Sequence, residues 1–159
     1  MSHNRRFLWQ TICEVIILMP ETELLQYIHK TAEMGCEGIL SVLNYTADGG
    51  LKNVLSQQLD EYRNFERDAE KLLLEHGERA NDVGTVAKTS ARMMSAGKLA
   101  ANRSASKIAE MTIEGNNMGI NKTLQHLHDY TGKEQSVIEL ANRFLSTQRE
   151  NVRQLQAFL

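Results

Sequence analysis

Apolar residues recur at intervals of three and four along most of this chain, the spacing that lines one face of an α-helix. Leu24, Leu25, Ile28, Ala32, Cys36, Ile39 and Leu43 predict a first main helix from Pro20 to about Tyr45. Leu51, Leu55, Tyr62, Phe65, Ala69 and Leu72 predict a second that ends at His76. Ile108, Met111, Ile113, Ile120, Leu124 and Leu127 predict a third over roughly Arg103 to Tyr130, and Ile138, Ala141, Leu145, Val152, Leu155 and Leu159 a fourth.

The residues between these runs set the ends. Pro20, the only proline, is expected in the first turn of the first main helix, where its missing N–H costs nothing. Asp48-Gly49-Gly50 predicts a tight turn with Asp48 as N-cap, and Gly77 a left-handed stop. Ser104 and Ser106 stand at the start of the third helix. Thr131-Gly132-Lys133-Glu134 reads as a glycine stop followed by a capping box. Each of the first two helices would be on the order of 40 Å long, and short turns force them, and likewise the last two, into antiparallel hairpins. Glu78 to Asn102, with a helical pattern from Val83 to Ala96, is far longer than a hairpin turn needs. Two tight hairpins joined by one long crossover is the connectivity of ferritin-like bundles.

Residues 1–20 are expected to form a separate extension. Arg5 and Arg6 before an apolar run from Phe7 to Met19 imitate a secretory signal, but Gln10 and Glu14 interrupt the run and no cleavage site follows. Leu8, Ile12, Val15, Ile16 and Met19 fall at helical spacing, which predicts a short amphipathic helix against a bundle domain of residues 21–159. The run is too short to span a membrane. Composition adds little direction: 42% hydrophobic and 24% charged residues describe a soluble globular chain, and a net charge of −2 steers toward neither nucleic acid nor membrane. Cys13 and Cys36 lack the spacing of a zinc site or a dithiol, so reduced thiols in a cytoplasmic protein are expected.

Ile108-Ala109-Glu110-Met111-Thr112-Ile113-Glu114-Gly115, with Met118-Gly119-Ile120, resembles an uncharacterised bacterial branch of the ferritin-like four-helix-bundle superfamily, and the resemblance extends over about Glu21 to Leu159. It implies an all-α, antiparallel four-helix bundle, often dimeric. A ferritin-like di-iron centre needs an inward carboxylate from each of two helices and a Glu-x-x-His pair from each of the others. The chain offers only Glu61-x-x-Asn64 and Gln148-x-x-Asn151 as counterparts, and a neutral amide is a feeble iron ligand. Gln148 shares a face with Leu145 and Val152, so it should point inward and bond Gln58 or Tyr62.

Other constellations are sparse. His29 and Glu33 are expected as a solvated i,i+4 pair, and Glu110, Glu114, Asn117 and Asn121 as a solvated edge. Of His126 and His128, which face apart, only His126 is co-facial with Tyr130. Lys88, Arg92, Lys98, Arg103 and Lys107 form a basic stretch with no interleaved aromatic to stack bases, so no nucleic-acid partner is expected. Helix-interior glycines cost about 1 kcal/mol each relative to alanine. Gly35, Gly38, Gly115 and Gly119, with Met34, Met111 and Met118 filling gaps, therefore predict close helix contact within the bundle or across a homodimer. The resulting expectation is a non-enzymatic bundle that acts by self-association or partner binding, without cofactor. The alternative is a metal-binding or oxidoreductase protein that holds iron or manganese at an atypical site around Glu37, Glu61, Glu66, Glu114 and Gln148.

Overall fold

The computed structural model describes the backbone of residues 3–81 and 103–159 and the side chains of residues 21–81 and 103–159. Four helices account for nearly all of it: α1 (His3–Leu43), α2 (Gly49–Glu75), α3 (Ala105–Asp129) and α4 (Gln135–Leu155), the last followed by a 3-10 turn at Gln156–Phe158. No strand occurs among the described residues. The predicted helical segment Val83–Ala96, and with it Lys88, Arg92 and Lys98, lies outside them.

Where the chain turns, local chemistry acts largely as the residue types dictate. The Asp48 carboxylate caps α2, accepting from the Leu51 amide at 2.7 Å. At the other end Gly77 adopts φ +75°, and the Glu78 and Gly77 amides return to the Leu73 and Leu74 carbonyls, completing a Schellman stop. Ser104 caps α3 through the Lys107 amide at 3.2 Å. The capping box expected at Thr131 does not form. α4 begins at Gln135 with Glu134 as N-cap and no side-chain cap bond, because the Glu134 carboxylate is taken by His76 and Ser136. Gly132 is not a left-handed stop either; a Cβ there would collide with Glu21 and Tyr130, so it is a site of close approach. Pro20 lies within α1 and not in the first turn of a new helix, so the backbone of residues 3–20 continues α1. Proline's fixed φ suits a helix, and a long helix survives the one lost hydrogen bond and local clash.

Side-chain contacts give the directions. Tyr27 of α1 donates to the Gly119 carbonyl of α3 at 3.1 Å, while Arg103, just before α3, sits over the Tyr45 ring just after α1 at 4.9 Å. These helices therefore run antiparallel. So do α2 and α4, in which Arg143 pairs with Asp68 at 2.6 Å and Gln58 donates to the Asn151 carbonyl at 3.3 Å. The helices form a ring, α1 beside α2, α2 beside α4, α4 beside α3 and α3 beside α1, with α1 also meeting α4 across the middle. α2 ends beside Glu134, whereas α3 starts beside Tyr45, so the chain leaves one end of the bundle and re-enters at the other. Short turns join α1 to α2 and α3 to α4, as the sequence predicts.

One apolar core runs through this ring. Leu25, Ile28, Leu51, Leu55, Leu73, Ile108, Val137, Phe144 and Leu155 are fully buried. Phe144 meets the Phe65 and Tyr62 rings edge-on at 5.0 and 6.0 Å, so one side chain of α4 joins two of α2. Two positions expected on apolar faces, Leu124 and Leu159, are exposed.

Candidate functional site

At mid-height the apolar core is interrupted by a layer of neutral polar side chains. Helical phase puts them there: Gln58 and Tyr62 fall between Leu55 and Phe65 on the buried face of α2, and Gln148 and Asn151 between Leu145 and Leu155 on that of α4. Asn116 and Thr123 occupy the buried face of α3, either side of Gly119. Tyr62 donates to Asn116 Oδ1 at 2.7 Å, and Thr123 donates to Gln148 Oε1 at 3.1 Å. The Tyr27 hydroxyl lies 3.3 Å from Thr123 Oγ1, and its ring stacks on His126 with centroids 4.0 Å apart. With its amide nitrogen turned toward α2, Asn151 donates to Glu61 Oε2 at 3.0 Å and to the Thr147 carbonyl at 3.3 Å. Gln58 Oε1 is buried without a hydrogen-bond partner among the described residues.

Glycine makes this layer sterically feasible at two points. A Cβ on Gly35 would lie 2.9 Å from the Tyr62 ring, and one on Gly119 would overlap Gln148 Nε2. The close contact predicted for these two glycines is therefore internal to the bundle. A methyl group added at Gly38 or Gly115 would meet nothing within 4 Å, so no packing contact among the described residues explains these two. Met34 and Met118 do not fill core gaps, as expected of them, but stand 47% and 67% exposed, because they lie on the outer faces of α1 and α3.

Electrostatics keep the phenol of the layer neutral. Burial pushes the Tyr62 hydroxyl well above the ordinary phenol range, with hydrogen bonds from Gln148 and Asn151 opposing, so it stays protonated and acts as a donor. Cys36, buried in the α1–α2 seam, is pushed up to about 11 by burial and by the Glu66 and Glu37 carboxylates, with Arg63 acting the other way. It is an inert thiol.

The five acidic and amide candidates occupy several places in the bundle. Gln148 is in the central layer and Glu61 joins it through Asn151, but Glu37 and Glu66 act on Cys36 in a different seam and Glu114 is exposed on α3. Among the described residues no three His, Cys, Asp or Glu side chains are grouped to hold a metal ion. The side chains that converge in the layer are amides and hydroxyls, with the Glu61 carboxylate bonded to Asn151 at its edge. Two surface expectations fare differently. Glu110, Glu114, Asn117 and Asn121 form an exposed edge, with Glu110 bonded to Lys107 at 2.7 Å. His29 and Glu33 are not solvated: they are 5% and 8% exposed, because their side of α1 is covered in the fold.

Asn116, Thr123 and Asn151 are the members of the layer that the periodicity of apolar residues does not reveal, since they are polar residues in apolar phase. A signal is present in their spacing: Asn151 is seven residues from Phe144 and Thr123 seven from Asn116. No helix among the described residues is long and apolar enough to cross a membrane. Comparison of the chain with protein-family models, curated proteins and solved structures finds no match.

Proposed function

We propose that this chain is a ferritin-like bundle whose centre has a structural role, and that it works by self-association rather than by catalysis. The observation that carries the reading is the content of the central layer. Where a ferritin-like protein concentrates carboxylates and imidazoles, α2, α3 and α4 contribute Gln58, Tyr62, Asn116, Thr123, Gln148 and Asn151, which are linked across the helices by hydrogen bonds. The opposite course of α1 and α3, with α2 ending and α3 starting at opposite ends of the bundle, supports the ferritin-like connectivity.

The outer surface beside the α1–α3 seam is the surface offered for association. Thr31 of α1 lies against Gly119 of α3, which places Met34 and Met118 next to this seam, with Gly38 and Gly115 leaving open space beside them. An apolar patch of flexible thioethers beside small residues favours a second helical surface, and the partner that suits it is another copy of the chain, related by a two-fold axis.

Light scattering over a hundred-fold concentration range is expected to show a dimer, and Met118→Glu to shift it to monomer with unchanged helicity. A wild-type chain that stays monomeric throughout ends the association reading. Elemental analysis after purification without chelator addresses the centre separately: near-stoichiometric iron or manganese that disappears in Glu61→Gln or Glu66→Gln would replace it with the metal-site reading.

A further inference from the structure

We propose that His76 is a proton-dependent clasp whose imidazolium ties the C-terminal end of α2 to the turn before α4, and that losing one ring proton releases this end of the bundle. The geometry of the ring carries the inference. Nδ1 lies 2.7 Å from the Leu72 carbonyl oxygen and Nε2 lies 2.7 Å from Glu134 Oε2. A carbonyl and an ionised carboxylate can only accept, so both ring nitrogens must donate. A neutral imidazole has a single N–H and would leave a lone pair facing an oxygen at contact distance. The closed arrangement thus contains the extra proton.

The surroundings point the same way. Glu134 comes from the turn before α4, Glu21 from α1 and the Tyr130 hydroxyl from the end of α3. Glu21 is 8% exposed, and its Oε2 and the Tyr130 hydroxyl are buried without a hydrogen-bond partner among the described residues. Two carboxylates therefore face one imidazolium in a partly buried corner, and deprotonating the ring removes the positive charge beside both. The Leu72 carbonyl first, then the Glu134 bond and charge and the Glu21 charge, hold the His76 ring above its ordinary range against the opposing effect of burial. Ser136 first, and His76, hold the Glu134 carboxyl below its ordinary range.

The clasp also sits where the chain departs from α2. Immediately after it Gly77 reverses the backbone, and the Gln26 side chain of α1 grips the next stretch, donating to the Arg79 carbonyl at 2.6 Å and accepting from the Asn81 amide at 2.8 Å. Releasing His76 would leave that exit held by Gln26 alone among these contacts.

The sign of the pH dependence follows. A raised folded-state value means that the histidine contribution is complete below the unfolded imidazole value of ~6.5 and fades as pH rises through the folded value. The lowered Glu134 carboxyl means that its contribution is present above the ordinary glutamate value and fades only as pH falls through the depressed one. The clasp is closed between the two and opens toward alkaline pH.

Ring-proton NMR of the full chain tests this directly. His76 is expected to titrate above the ordinary imidazole value, and Glu134→Gln to lower that midpoint. Hydrogen exchange at the Glu75 and His76 amides is expected to accelerate at least ten-fold across the same midpoint, beyond the intrinsic rise. A wild-type His76 midpoint at or below ~6.5 overturns the proposal. So does exchange that rises with pH only as the intrinsic chemistry requires, and both wild-type measurements stand even if a variant fails to fold.

Discussion

Four glycines with similar spacing on their helices have opposite physical reasons. On α1 and α3, Gly35 and Gly119 admit Tyr62 and Gln148, which are buried and hydrogen-bonded and would have to shift if a Cβ were added. Gly119→Ala is expected to destabilise by about 1–3 kcal/mol through overpacking, read as a lower midpoint in urea unfolding. Gly115, with open space around it, should behave in the opposite way: Gly115→Ala removes the helix-interior penalty and is expected to stabilise the chain by up to about 1 kcal/mol. Equal effects at the two positions would mean that the internal contact at Gly119 is not tight. Residue type and spacing alone could not separate these two cases, because the distinction depends on which neighbour lies across the seam.

Helix ends follow their local residues except where a distant side chain competes. Asp48 and Ser104 cap as their positions suggest, and Asp48→Ala is expected to cost about 1 kcal/mol of stability, measurable by thermal or urea unfolding, because the Leu51 amide loses its acceptor. Glu134 differs. Its sequence neighbourhood favours reaching back along its own helix, but His76, 58 positions away in sequence, offers a charged donor at 2.7 Å. A charge-assisted bond outcompetes a neutral one by roughly a factor of two, so the long-range partner wins and the capping box is lost. Pro20 is a similar case, since helix continuation across it is a property of α1 as a whole.

For the molecule, four helices enclose one core in which apolar packing and a neutral polar layer depend on each other. Phe144 links α4 to α2 from the middle of that core, and Phe144→Ala is expected to cost about 3–5 kcal/mol and to lower the midpoint of a single cooperative unfolding transition. Two separated transitions would show instead that the hairpins α1–α2 and α3–α4 unfold independently. The outward placement of Met34 and Met118 belongs to this level too. Helical spacing shows that each lies on a face, but whether that face is interior or exterior depends on where the neighbouring helix crosses.

The number of main helices, their approximate limits apart from the start of α1, and the short turns within each pair were legible in the chain, because they rest on periodicity and capping chemistry, which act within a few residues. The membership of the central layer, the burial of His29 and Glu33, the outward methionines and the bond between His76 and Glu134 needed the folded molecule. Each joins residues far apart in sequence, and a contact across a bundle depends on the rotation and register of two helices, which no local pattern specifies.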